Sequence, residues 1–348
     1  MRVLAALSGG VDSSVAAALL LEEGHEVVAA TMKLWGGASD SGCCSVADVD
    51  DARRAAQQLG IDHHVFNFTD DFDAHVVDPY VSAHAAGRTP NPCVECNRHL
   101  KFDRFLRRAE QLGFDAVATG HHARVDFDGR RWSLRRSVDA AKDQSYVLHM
   151  LGQRELAQCM FPIGSMTKAD VRDRAAALGL RTAAKPDSQD VCFIMATQGG
   201  REAFLGDRIP LRPARMVDSR SGREIGSLAS VELVTVGQRR GLGSGAGGRR
   251  YVVDVDVESA TVYVGPHEDV LRPGVAVESM TWVHEPIATG VRVLVQSSAH
   301  GRVVGARWSG DADAGVVDFD EPQRAIAPGQ SVVLYEADRV IGGGIATR

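Results

Sequence analysis

The string Ser8-Gly9-Gly10-Val11-Asp12-Ser13 limits what this chain can become more than any other stretch of it. It sits between a short apolar run, residues 2–7 (RVLAAL), and a helical pattern over 13–23 that Gly24 closes. A second apolar run follows at 26–32 (EVVAATM). A buried strand, a helix and another buried strand make a βαβ unit, and hence a parallel sheet. The alternation persists, with a helix over 48–59 closed by Gly60, a strand over 63–68, a helix over 101–112 closed by Gly113 and a strand over 115–119. Thr167 to Asp170 forms a capping box for a helix that ends at Gly179. Up to about residue 195 the pattern predicts a doubly wound α/β domain.

From about residue 207 the character changes to Gly, Pro, Val and Thr, with short runs such as RRYVVDVDV, ATVYVG, VRVLVQ and SVVLYE. Such strands without intervening helices predict small antiparallel barrels. Pro266 and Leu271-Arg272-Pro273-Gly274 offer a break between two β modules. The expected fold is therefore an α/β, doubly wound parallel-sheet domain over 1–205, a small central β domain over 206–272 and a C-terminal β-barrel over 273–348. At 348 residues the chain exceeds what one core usually supports, which agrees with several domains. No run of about 18 apolar residues exists to span a membrane, and the N-terminal segment lacks the apolar stretch and cleavage site of a signal peptide. A cytoplasmic protein is expected.

The chemistry is carried by three motifs. In SGGVDS, the paired glycines let the backbone turn tightly and present N–H groups to an anion at a helix N-terminus. No Gly-Lys-Ser/Thr follows, so this is not a Walker loop. Asp12 is placed to help hold Mg²⁺ near a pyrophosphate leaving group. The second motif, Gly87-Arg88-Thr89-Pro90-Asn91-Pro92-Cys93-Val94-Glu95-Cys96-Asn97, reads as a loop running into a helix, where the helix end and Arg98 favour thiolate. A lone CxxC is also half of a zinc site, but no second CxxC or CxxH follows at finger spacing. The third is Ser188-Gln189-Asp190-Val191-Cys192-Phe193-Ile194. The remaining cysteines, Cys43-Cys44 and Cys159, read as loop thiols and a core residue, and six cysteines in this length do not make a disulfide scaffold.

SGGVDS resembles the pyrophosphate loop (PP-loop) of the adenine-nucleotide α-hydrolase superfamily, whose members cleave ATP to AMP and pyrophosphate while adenylating a substrate oxygen. Together with GRTPNPCVECN and DSQDVCFI, it is similar to the tRNA-specific 2-thiouridylases. Lys142-Asp143-Gln144-Ser145-Tyr146, the stretch from Thr235 to Leu242, Pro328-Gly329-Gln330 and Gly342-Gly343-Gly344 are similar too, in family order along the whole chain. The resemblance implies ATP-dependent 2-thiolation of the wobble uridine of tRNA, with the uridine O2 adenylated and AMP and pyrophosphate released. It implies that Ala6, Leu7, Ser8, Gly9, Gly10, Val11, Asp12, Ser13, Met32 and Gly120 bind ATP, taken with Mg²⁺. It implies that Cys192 receives sulfur as a persulfide from a sulfur carrier protein, and that Cys96 is the nucleophile, ending in a disulfide with Cys192. Asn91, Pro92, Cys93, His121, Lys142, Asp143, Gln144 and Gln330 would then contact tRNA. Many relatives carry Asp at the position of Cys93. Where the family has an Arg-Tyr pair in the barrel, this chain has Ser298-Ala299.

The net charge is −6, yet arginines and lysines cluster at 98–108, at 124–142 and at 239–250, which predicts a phosphate-contacting surface. Three rivals stay open on sequence alone. A PP-loop amide ligase would need neither Cys96 nor Cys192. A nucleotide-sensing RNA-binding protein would release no pyrophosphate. A tRNA sulfurtransferase could instead hold an iron–sulfur cluster on Cys93, Cys96 and Cys192.

Overall fold

In this computed structural model residues 1–35, 46–187, 191–194, 199–242, 249–299 and 301–347 are described. The first part of the chain supplies β1 (Arg2–Ala6), β2 (Glu26–Lys33), β3 (His63–Asn67), β4 (Ala116–Ala118), a hairpin of β5 (Ala123–Phe127) and β6 (Trp132–Arg136), and β7 (Cys159–Met160). Strands β3-β2-β1-β4-β7 form one parallel sheet. Successive side chains of a strand point to opposite faces, and both faces here are covered. Val3, Ala5, Val27 and Ala29 pack on Ala17 and Leu20 of α1 (Val11–Glu22) and on Ala52 and Ala56 of α2 (Val46–Leu59). Leu4, Ala6, Ala30 and Met32 face the other way, into a cluster with Phe102, Phe105 and Leu106. Burial on both faces is why these strands read as unbroken apolar runs, and why the chain is doubly wound.

The Lys168–Ala177 helix opens on the expected capping box between Thr167 and Asp170. Another helix departs from expectation. It begins at Pro92, not near 101, and runs as Pro92–Glu95, a π-helical Cys96–Arg104 and Phe105–Gln111.

The central domain holds β8 (Ala214–Asp218), β9 (Glu224–Leu228), β10 (Tyr251–Asp256) and β11 (Thr261–Gly265), in the order β10-β11-β8-β9. Its pairing is not wholly antiparallel, because β11 runs parallel to β8. The C-terminal part holds β12 (Leu271–Trp282), β13 (Arg292–Gln296), β14 (Val304–Gly310), β15 (Gly315–Arg324), β16 (Ser331–Glu336) and β17 (Arg339–Ala346). The order β12-β15-β14-β13-β16-β17 closes into a barrel because β17 also pairs with β12. Leu271-Arg272-Pro273-Gly274 is no linker here: β12 runs through it, with an irregularity between Arg272 and Gly274.

The hairpin β5–β6 was not anticipated. It leaves the α/β domain and joins the barrel sheet, where Arg135 of β6 pairs with Arg339 of β17. Its arginines hold the junction: Arg124 and Arg135 reach Asp338 at 2.6 and 2.7 Å, Arg131 pairs with Glu285, and Arg136 reaches Asp143 at 3.2 Å and Gln296 at 2.7 Å. Much of the basic cluster over 124–142 is thus used between domains rather than offered to phosphate. Among the described residues, no helix is long and apolar enough to cross a membrane.

Candidate active site

The phosphate loop leaves β1 at its carboxyl end, the edge where open α/β sheets bind ligands. Ala6 and Leu7 are buried, and Leu7 N donates to the Ala30 carbonyl at 2.9 Å, which extends the sheet up to the loop. Ser8 and Ser13 then brace one another: Ser8 N donates to Ser13 Oγ at 3.2 Å, and Ser13 Oγ donates to the Gly10 carbonyl at 3.1 Å. Gly9 has φ +71°, and a Cβ there would meet the Asp48 carbonyl at 2.3 Å. A Cβ on Gly120 would meet Ser13 N at 2.6 Å and Asp12 C at 2.7 Å. Neither position accepts a side chain. Val11 is buried against Val15, Ile163 and Val171, which seats the start of α1. No side chain caps that helix at Gly10, so its first-turn N–H groups suit an anion such as a nucleotide phosphate.

Asp12, in the first turn, is engaged by cationic partners. Lys168 Nζ donates to both its oxygens at 2.7 and 2.8 Å, and His122 Nε2 stands 3.4 Å away. Burial pushes the Asp12 carboxyl up, but the hydrogen bonds and charges of His122 and Lys168 outweigh it and hold the group below its ordinary value. Met32 lies on β2 beside Phe66 of β3, in the same apolar cluster as Cys96.

The second motif is built as a helix start. Asn91 is the N-cap, its side chain accepting from Cys93 N at 3.0 Å, and Pro92 takes the first turn, where its missing N–H costs nothing. Cys93 is exposed on the first turn, whereas Cys96 is buried one turn on. Asn97, also buried, donates to the Val147 carbonyl at 3.0 Å. The barrel clamps the preceding loop: Gln330 Nε2 donates to the Thr89 carbonyl, and Thr89 N donates to the Pro328 carbonyl at 2.8 Å. Gly329, at φ +92°, comes so close to this loop that a Cβ on it would stand 3.2 Å from Thr89 N.

His121 is buried between Phe102 and Phe161, with Nδ1 2.6 Å from Thr119 Oγ1 and Nε2 accepting from Lys101 at 3.4 Å. Burial, then Lys101 and His122, push it well below the ordinary histidine value, so it is neutral. Asp143 accepts from Ser137 N, Ser145 N and Ser145 Oγ at 3.0, 3.1 and 3.0 Å, and Gln144 Oε1 accepts from His122 N at 2.9 Å. Lys142 reaches Asp187 at 2.7 Å. These residues, expected as tRNA contacts, also make hydrogen bonds and ion pairs within the chain.

Cys192 is half-buried at the edge of the apolar cluster that contains Cys96 and Met32. Its neighbour Phe193 is fixed by Phe204 and Phe72, with ring centres 5.0 and 5.5 Å away. Ser188-Gln189-Asp190 and Cys43-Cys44 lie outside the described residues. Cys159 is a core residue whose thiol burial pushes far up. Among the described residues, no three of His, Cys, Asp and Glu converge as metal ligands.

Sequence reasoning missed Lys168, Lys185 and Asp187. Lys185 Nζ donates to the Gly9 carbonyl at 3.0 Å and to Asp48 and Asp51 at 2.8 and 2.7 Å. Asp187 is paired with Lys142, Lys168 and Arg172; burial raises its carboxyl, but Lys142 and Lys168 bring it down to about 2. The signal for Lys185 and Asp187 was charge, in the Lys-Pro-Asp stretch leading to the third motif, whereas Lys168 showed only as the first residue of a capped helix.

Comparison with known proteins agrees with this geometry. Residues 1–196 match the family described as the tRNA methyl transferase HUP domain, 202–266 its PRC-barrel domain, and 272–346 the aminomethyltransferase beta-barrel domain. The chain is 48% identical to the tRNA-specific 2-thiouridylase MnmA of Chloroflexus aurantiacus over 356 residues, covering 100% of this chain and 98% of that protein. The chain belongs to the tRNA-specific 2-thiouridylase family. Its namesake in Symbiobacterium thermophilum is 46% identical, covering 100% of this chain and 92% of that protein. Against the 2-thiouridylases, which match from end to end, an amide ligase or a simple RNA-binding protein accounts for neither the barrel nor the cysteine motifs.

Proposed function

We propose that this protein is an ATP-dependent tRNA sulfurtransferase that makes 2-thiouridine at the wobble position, in the cytoplasm. The observation that carries the reading is the end-to-end match to 2-thiouridylases in a chain whose phosphate loop has no room for a Cβ at Gly9 or Gly120. Residues 1–205 carry the nucleotide chemistry, 206–272 form the central domain, and the barrel over 273–348 grips tRNA. MgATP is the substrate of the loop from Ala6 to Ser13, with Met32 and Gly120 beside it. The uridine O2 attacks the α-phosphorus, the α–β bridging bond breaks, and pyrophosphate leaves.

Cys192 carries a persulfide delivered by a sulfur carrier protein. Its terminal sulfur bonds to C2, and AMP departs with the former O2. The Cys96 thiolate then attacks the Cys192 sulfur and breaks the S–S bond. This leaves 2-thiouridine on the tRNA and a Cys96–Cys192 disulfide, which an external thiol must reduce before the next turnover. Splitting activation from sulfur delivery divides one difficult substitution into easier steps. Asn91, Pro92 and Cys93 stand on the base side, and Gln330, Lys142, Asp143, Gln144 and His121 contact tRNA.

The test is pyrophosphate release with and without bulk tRNA, followed by mass analysis of the tRNA nucleosides. Release that depends on tRNA, with a 2-thiouridine product when a persulfide donor is present, supports the reading. No tRNA dependence sinks it. The iron–sulfur alternative would show itself as iron and visible absorbance in anaerobically purified protein.

A further inference from the structure

The peptide between Gly9 and Gly10 forms the bend of the phosphate loop, and two features fix its orientation. Gly9 has φ +71°, and the Asp48 carbonyl of α2 stands where its Cβ would be. Lys185 Nζ then donates to the Gly9 carbonyl at 3.0 Å, while also holding Asp48 Oδ1 at 2.8 Å and Asp51 Oδ2 at 2.7 Å. An ammonium has three N–H donors, so these contacts use all of them. Burial pushes the Lys185 ammonium down, but the hydrogen bonds and charges of Asp48 and Asp51 outweigh it and hold the group above its ordinary value. Lys185 is therefore charged.

Among the described residues no peptide bond is cis, and in a trans peptide the C=O and N–H point in opposite directions. A Gly9 carbonyl held toward Lys185 therefore turns the Gly10 N–H to the opposite side of the loop. The next peptide is pinned by its carbonyl too, since Gly10 O accepts from Ser13 Oγ at 3.1 Å and Ser14 Oγ at 2.9 Å. Neither Gly9 nor Gly10 has a Cβ to resist rotation of the plane between them. Without Lys185 that peptide can turn its carbonyl, rather than its N–H, toward an incoming anion.

We propose that Lys185 is a positioning residue for the pyrophosphate end of the nucleotide: by holding the Gly9 carbonyl it aims the Gly10 N–H at a phosphate oxygen. This deepens the ATP reading proposed above and rests on it. Lys185 itself stays on Gly9, Asp48 and Asp51 and does not touch the substrate.

Two measurements test the proposal without tRNA or turnover. The first uses the parent protein: saturating pyrophosphate should shift the Gly10 signal in an amide nitrogen–proton NMR spectrum. A Gly10 signal that stays put in a parent that binds pyrophosphate overturns the proposal, whether or not any variant folds. The second is calorimetric binding by Lys185→Met. Pyrophosphate and MgATP should bind about 10-fold more weakly or worse, the worth of one hydrogen bond to a charged group. Adenosine, which carries no phosphate, should bind as it does to the parent. A lost positive charge would by itself weaken anion binding, but salt screens that effect. The ratio of parent to variant affinity for pyrophosphate should therefore persist from about 0.1 M to about 1 M salt. Unchanged pyrophosphate affinity in folded Lys185→Met, an equal loss of adenosine binding, or a ratio that falls to one at high salt each overturns the positioning role. A parent that binds neither pyrophosphate nor MgATP removes the ATP reading as well. A parent that binds both, beside an indifferent Lys185→Met, removes this inference alone.

Discussion

The three motif cysteines differ in setting as much as in position. Cys93 is exposed on the first turn of its helix, Cys96 is buried one turn later, and Cys192 is half-buried beside the aromatic cluster around Phe193. The proposed chemistry needs two of them. Cys96→Ser and Cys192→Ser should retain tRNA-dependent pyrophosphate release and form no 2-thiouridine, while Cys93→Ser keeps measurable product. Nucleoside mass analysis beside a pyrophosphate assay reads both quantities; complete loss of product in Cys93→Ser would refute the assignment. These cysteines were legible because each sits in a distinctive string. Lys168 was not, because it looked like an ordinary first residue of a capped helix. Its partners are 156 and 19 positions away in sequence, and only the fold brings Asp12 and Asp187 to it.

At the scale of elements, the βαβ alternation was readable because the strands are short and buried on both faces. Two elements were not. The helix at Pro92 was read as loop because Pro and Asn usually break helices, although Asn before Pro is also an N-cap followed by an N1 residue. The hairpin β5–β6 was hidden by its arginines, which suggested a phosphate surface but hold Asp338 and Glu285 instead. The glycine run of β17 shows the reverse case, a motif visible in sequence whose reason only packing supplies. A Cβ on Gly343 would meet His149 Nδ1 at 2.7 Å and the Val332 carbonyl at 2.9 Å. His149 is fully buried, so neither neighbour can move aside into solvent. Gly343→Ala should therefore destabilise the protein by about 1–3 kcal/mol, the usual cost of overpacking. Chemical denaturation checks this, and an unchanged midpoint would mean that the barrel seats on His149 more loosely than these distances imply.

For the molecule as a whole, net charge and local charge pull in different directions. The chain carries −6, yet phosphate binding depends on where the cations stand. Arg104 and Arg107 are paired with Asp71 and Asp103, and Arg108 lies over Phe66. If this helix face meets tRNA, affinity falls steeply with salt, and replacing all three arginines with Gln lowers the slope of log K against log salt by about 2 to 3. A parent protein whose tRNA affinity ignores salt would move the RNA surface elsewhere.

Acid should act on the same assembly through histidines buried where domains meet. Burial, then Arg201, push His84 down to about 4 against the weak pull of the Glu232 carbonyl, which belongs to the central domain. Burial and Arg98 push His149, packed on Gly343 of the barrel, down to about 3. His121, inside the α/β domain, is shifted in the same direction by burial, Lys101 and His122. Each is neutral in the fold and titrates near 6.5 once unfolded. The unfolded chain therefore takes up protons first as pH falls. Their stabilising effect is whole above 6.5 and is lost progressively as pH drops toward the folded values. This loss starts before Asp12 and Asp187, whose ordinary value is 3.8 and whose folded values are lower, begin to be protonated. The thermal midpoint should decline steadily from about pH 7 to about pH 4.5. His149→Gln, which cannot take up the proton, should be less stable at neutral pH and show a shallower decline. A midpoint that stays flat across that interval, or an equally steep decline in His149→Gln, would remove the buried histidines as the cause.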